Sequence, residues 1–290
     1  FTPSSSGRAY EVLVVVDHDL WDRPAGRALY SALEKDVPGL PQPESSFYIM
    51  YSSPSNFDST LKLLRNIVVV DIQPDRYTQA KFSYSNNVYA YPQVILNIQA
   101  PSEEEFETFV NENKQVIVDF LTRVEMNRQI AHLEKNHNRQ VAETVMSMFD
   151  CEVWVSGELN STKTGENFFW AGTNKATADQ NLIIYSYPYK DKETFTQEYF
   201  VHKRDSVMKI NVPGARPNMH MSTELIGLTT RGIEVQNNYV MENRGLWKVK
   251  GDFMGGPFVS HTRIDEQNQR VITAEVFVYA PDMMKRNLTR

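Results

Sequence analysis

Two stretches in the second half of the chain hold the side chains best suited to chemistry. They are "GARPNMHMSTE" (Gly214–Glu224) and "RGLWKVKGDFMGGPFVSHTR" (Arg244–Arg263). His220, Glu224, Asp252 and His261 could supply general acid and base groups. Arg216, Arg244 and Arg263 could clamp a carboxylate or phosphate, because a guanidinium offers paired donors. These seven residues form the candidate ligand-binding set, and none is assigned a catalytic role. Met219 and Met221 alternate with His220 and Ser222, the period of a strand with one polar face. A surface or simply hydrogen-bonded histidine is therefore the plainer reading of His220. A third stretch, Asp17, His18 and Asp19, follows an apolar run and could hold a divalent cation. Turn and capping chemistry accounts for it as well. No other residue joins it at metal spacing, so it is a weak candidate and no cofactor is expected.

The glycines of "GDFMGGPF" resemble a phosphate cradle at first sight. A P-loop needs Lys and Ser or Thr after its last glycine, then a helix. Here Gly256 leads into Pro257 and a strand-like run. On either side apolar and polar residues alternate, which predicts a hairpin with a glycine-bearing tip. Phe253 and Met254 at that tip are the candidate partner contacts, since exposed apolar residues mark interaction surfaces. His132 and His137 lie five apart, the wrong spacing for a helical zinc pair, and no G-x-S-x-G elbow occurs. The single cysteine, Cys151, precludes an internal disulfide and sits in a strand-like run, where a buried inert thiol is the common case.

The elements that must position these residues follow from pattern. The 290 residues allow one large domain or two. The longest aliphatic runs, "VLVVV" and "IVVV", fall well short of the ~20 residues of a membrane helix. Of the net charge of −6, residues 1–150 carry −7 (13 basic, 20 acidic) and residues 151–290 carry +1 (17 basic, 16 acidic). No basic stripe appears, which argues against nucleic acid as a partner. The start "FTPSSSG" is Ser-rich and lacks Met, and it reads as a tether or a processed stub.

"YEVLVVVD", "FYIMYSS" and "NIVVVDIQ" are strand-like, and "YSNNVYAYPQVILNIQ" reads as two strands around an Asn-Asn turn. Asp22 and Pro24 suit the start of a helix to about Lys35, and Ser55 with Asp58 suits a short one. Residues 102–156 contain neither Gly nor Pro, and apolar residues recur at helical spacing from Phe106. "NRQIA" recurs as "NRQVA" after eleven residues, about three turns. One long helix or a helical pair to about Phe149 is expected. Beyond it come the strand-like "CEVWVSG", a helix near 190–210, many short strands, and a terminal helix from about Asp282. Strand, proline and an acidic helix start recur three times, with "VLVVVDHDLWDRP" a looser fourth copy, which suggests internal duplication or simply shared strand-to-helix turn chemistry.

The expected fold is α+β: mostly antiparallel sheets with helices on one side, in two lobes linked by a long helix. The expected division is a tether over 1–9, an N-terminal lobe over 10–125, and a C-terminal lobe with the connecting helix over 126–290. "YEVLVVVDHDLWDRPAGRALYSAL", "PGARPNMHMSTE" and "RGLWKVKGDFMGGPFVSHTRID" together resemble a family of Bacteroidetes envelope lipoproteins of unknown function. The resemblance implies an export signal, a lipid-modified cysteine upstream and a place in the cell envelope, in the periplasm or at the outer membrane. It brings no catalytic residues. The expected function is a non-catalytic envelope lipoprotein that binds a partner protein or a small ligand, with membrane contact only through the lipid. The alternative is an envelope hydrolase or other enzyme using His220 and His261 with nearby arginines and acids.

Overall fold

The structure is a computed structural model that describes residues 2–290. Its chain divides into two compact units, Phe1–Asp36 with Ser45–Ile130, and Val37–Glu44 with Ala131–Arg290.

The first unit begins with β1 (Glu11–Val15), α1 (His18–Trp21) and α2 (Pro24–Glu34). β2 (Tyr48–Ser52), β3 (Asn66–Ile72), β4 (Lys81–Asn86) and β5 (Val94–Ala100) complete a sheet of order β2-β1-β3-β5-β4. α3 (Glu103–Glu112) and α4 (Lys114–Asn136) follow. The inner strands β1, β3 and β5 are largely apolar on both faces, as strands covered on both sides must be. Val12, Val14, Val68, Leu96 and Ile98 pack against Leu29, Leu33, Phe106, Val110, Ile117 and Leu121 of the helices. The opposite face, Leu13, Val15, Ile67 and Ile95, is covered by Phe57, Leu61 and Leu64. That cover comes from two short 3-10 turns, Pro54–Asn56 and Leu61–Leu63, where the capping-box spacing predicts a helix. Asp58 accepts instead from the Thr60 and Leu61 N–H groups at 2.9 Å.

Three details in this unit depart from expectation. The serines of the start are bonded into the unit: Ser5 N–H donates to Tyr91 O at 2.9 Å, and Ser6 N–H to Leu63 O at 2.8 Å. α2 takes Arg23, not Asp22, as its N-cap, with Pro24 in its first turn. β1, β3 and β5 run parallel, joined by crossovers. The unit also buries Glu125 of α4, which receives Asn66 Nδ2 at 2.6 Å, Arg65 at 2.8 Å and Arg128 at 3.1 Å. This pins the start of β3 to the helix.

In the second unit the helical region resumes at α5 (Arg139–Phe149). The break has a tertiary cause. Asn138 gives its N–H to Val155 O at 2.8 Å, and its side chain caps the new helix by accepting from Val141 N–H at 3.2 Å. Of the two "NRQ" copies, the first continues a helix and the second starts one. β6 (Ser161–Gly165), β7 (Phe168–Gly172) and β8 (Asp179–Pro188) lead to α6 (Gln197–Asn211). β9 (Met221–Val235), β10 (Asn238–Val249), β11 (Gly255–Asp265) and β12 (Arg270–Tyr279) close an antiparallel sheet of order β6-β7-β8-β12-β11-β10-β9. α6 packs Phe200 and Met208 on Tyr185, Trp247, Phe258 and Phe277. α5 packs Val141, Val145 and Phe149 on Phe169, Ala171, Leu182, Ile184 and Ile272.

Among the described residues seven of ten strand pairings are antiparallel, so the fold is α+β and mostly antiparallel. The helices lie on one face of the first sheet, but the second sheet has one on each face. The two sheets differ in strand order and pairing, so the recurring strand–proline–helix pattern is shared turn chemistry and not a repeat. "CEVWVSG" forms a single bridge, His137 to Ser156, and the chain after Asp282 forms turns instead of a helix.

Candidate functional site

The face of the second sheet that carries α5 is only partly apolar. Side chains alternate across a strand, so one face collects every second residue. The register places Arg231, Glu242 and His261 in one row across β9, β10 and β11. Glu242 is 4 % exposed and is the centre of the group. Its Oε1 accepts from Arg231 Nε at 2.7 Å and Arg244 Nε at 3.0 Å. Its Oε2 accepts from Arg244 Nη2 at 3.1 Å and lies 3.2 Å from His261 Nε2. Burial works to raise the Glu242 carboxyl, but the bonds from His261, Arg244 and Arg231 outweigh it and hold the group far below its ordinary value. It is a fixed anion, unsuited to proton transfer near neutral pH.

The Pro-rich segment of the second unit, residues 37–44, packs against this group. Gly39 has φ +79°, and a Cβ there would lie 2.9 Å from Cβ of Arg244. Glycine meets both demands, the left-handed backbone and the close approach. Glu44 ends the segment by accepting from the Lys285 and Arg286 N–H groups at 2.8 and 2.9 Å.

Of the seven ligand-binding candidates, Arg244 and His261 meet on Glu242. Arg263 lies two residues beyond His261 on the same face, exposed, with no ion-pair partner among the described residues. Glu224 pairs with Lys248 at 2.7 Å, and that bond lowers its carboxyl. Arg216, His220 and Asp252 sit elsewhere, at the end of the sheet where α6 closes and β9 begins. His220 O accepts from Lys250 N–H at 2.9 Å, eight residues along β10 from Glu242. That spacing puts His220 about 26 Å from the Glu242 row at ~3.3 Å per residue. His220 and His261 therefore do not share one acid–base site.

Asp252 accepts from Phe253 N–H at 2.6 Å at the tip of the β10–β11 hairpin. Phe253 is 107 % exposed and Met254 40 %, so the predicted glycine-bearing tip presents both side chains to solvent. In the first unit Asp17 caps α1, accepting from Asp19 N–H at 3.1 Å, and His18 Nδ1 lies 3.1 Å from Tyr51 Oη. These contacts are capping and surface chemistry, and no group of three or more metal-ligating side chains occurs among the described residues. Burial pushes the Cys151 thiol up, which disfavours the nucleophilic thiolate.

Four residues that matter have no place among the sequence candidates: Glu242, Arg231 and the buried pair of Arg204 with Glu275. Arg204 of α6 donates to Glu275 from Nε at 2.8 Å and Nη2 at 2.6 Å, and to Thr223 Oγ1 at 3.0 Å. Its guanidinium carbon lies 4.2 Å from the centre of the Phe258 ring. The polar residue at alternate positions of "TAEVF" and "MEN" was the available signal, since a charge inside a buried strand must find a partner.

A fold of this kind defines a two-unit α+β protein whose second unit is an antiparallel sheet holding two internal ion networks. Over residues 138–290 the chain matches the family described as Domain of unknown function (DUF4837), and it belongs to that family. Residues 5–134 match a second description, Domain of unknown function (DUF8532). No curated protein matches the chain.

Proposed function

We propose that this protein is a non-catalytic lipoprotein of the Bacteroidetes cell envelope that binds a partner protein or a small ligand. The observation that carries the binding half is the β10–β11 tip. A phenylalanine left wholly in water forgoes about 1.5–3 kcal/mol relative to burial. A sequence that places it at a hairpin end, with Met254 beside it, suits a surface completed by another molecule. The non-catalytic half is supported by the state of the polar groups. Glu242, Arg231, Arg244 and His261 are held by one another, and His220 stands far from them.

The envelope assignment rests on the family resemblance of the three quoted stretches. Fractionation of cells making the full-length gene product tests it, with the protein expected in membranes and labelled by a lipid precursor. A product found free in the cytoplasm overturns it. The binding assignment is tested by capture from envelope extracts with the wild-type chain and with F253S, which should lose the captured partner.

A further inference from the structure

We infer that the face carrying Arg231, His261 and Arg263 is a binding site for a small oxyanion, a carboxylate or a phosphate. The reasoning begins with Glu242. A buried carboxylate that orients two guanidinium groups and an imidazole leaves their other donors facing outward. Arg231 spends its Nε on Glu242 and is 65 % exposed, and its Nη groups have no hydrogen-bond or ion-pair partner among the described residues. His261 spends Nε2 and is 43 % exposed, leaving Nδ1. Arg263 spends nothing on a carboxylate and lies about 6.6 Å along β11 from His261. Arg231 and His261 flank Glu242 at about 4.8 Å per strand, so the outward donors span about 10 Å.

The charges around this patch leave a surplus. On the same sheet face Arg270 pairs with Asp265 at 2.8 Å and also donates to Phe149 O at 2.8 Å, the C-terminal end of α5. Four guanidinium groups, Arg231, Arg244, Arg263 and Arg270, face three carboxylates, Glu242, Asp265 and Asp150 at the end of α5. With His261 neutral the balance is +1, and Glu224 further along the sheet is taken by Lys248. A planar fork of donors held in place by a buried counter-charge loses little freedom on meeting an oxyanion. Arg263 makes this a site in addition to an internal network, because the network is complete without it.

The inference is independent of the hairpin tip and of any protein partner. It is tested on the full chain by titration with sodium phosphate and, separately, sodium succinate, each against sodium chloride of matched ionic strength. The readouts are the Tm and the NMR signals of the His261 ring. Phosphate, succinate or both should raise the Tm above the chloride reference and move the His261 signals, and the stronger of the two names the oxyanion. R263Q and R231Q, both at exposed positions, should each weaken binding about tenfold, the worth of one charge-assisted contact. R216Q, an exposed arginine at the far end of the sheet, should bind as the wild type does. The inference is overturned if neither anion exceeds chloride, if R263Q and R231Q bind as tightly as the wild type, or if R216Q weakens binding as much as they do.

Discussion

The second sheet holds a buried glutamate on each face, and the two are built for different ends. Glu275 meets Arg204 under α6, and both side chains are wholly buried. Glu242 meets Arg231, Arg244 and His261 on the opposite face, where Arg244 is half-buried and the other two reach solvent. The first is a closed pair that fixes a helix to a sheet. The second is an open group whose carboxylate is hidden and whose cations are on show. Burial decides the difference. It pushes the Glu275 carboxyl above its ordinary value even against the pull of Arg204, whereas at Glu242 the cations win and the carboxyl falls.

The largest effect should come from breaking the closed pair. Arg204→Met leaves Glu275 as an uncompensated charge in the core, at a cost of about 3–5 kcal/mol. Denaturant unfolding of the variant measures it. The double variant R204M/E275L removes both charges and should recover most of that loss, as buried pairs replaced by apolar groups commonly do. If the single variant unfolds like the wild type, the pair is not the clamp described here.

The open group should respond less to mutation and more to acid. Glu242→Gln leaves two guanidinium groups and an imidazole without their anion, but Arg231 and His261 can turn to water, so about 2 kcal/mol is expected. The sign of the pH dependence follows from linkage. Glu242 is depressed in the folded state, so its contribution is present above the unfolded value of about 4.3 and is lost as pH falls below it. Glu275 is raised, so its contribution runs the other way and declines as pH rises through the same region. The stability gap between wild type and E242Q should therefore shrink between pH 7 and pH 3. A gap that holds constant with acid would mean that Glu242 does not owe its low pKa to these cations.

Sequence patterning shows much of this scaffold and little of its wiring. Val12–Val16, Ile67–Val70 and Val94–Ile98 are legible as strands because they are apolar on both faces. The β10–β11 hairpin is legible because its alternation is clean on both sides of a glycine-rich tip. The helix break at Asn138 is not, because it depends on Val155, seventeen residues away, taking a hydrogen bond. Arg244 and His261 are legible as polar residues worth noting. Their meeting on Glu242 is not, because it depends on the register of three strands. His220 looked equally suitable by residue type, and the same register carries it to the far end of the sheet. Arg204 has no local signature on an amphipathic helix, where an arginine normally lies outside.

The smallest effect on stability should come from the hairpin tip, and that is what makes it informative. Phe253 is free of its own fold, since Asp252 holds the backbone turn and the side chain extends into solvent. Phe253→Ser removes no packing, so the Tm should stay within the range of ordinary surface changes, about 0.5 kcal/mol or less. A residue that costs nothing to remove from the isolated protein and yet abolishes capture of a partner is an interface residue. A clear fall in Tm would instead mean that the tip is covered in solution by the chain itself. Unchanged stability with unchanged capture would make it plain surface, and the contrast with the two glutamate networks would then lie wholly inside the sheet. The two measurements on one variant, unfolding and capture, separate these three cases.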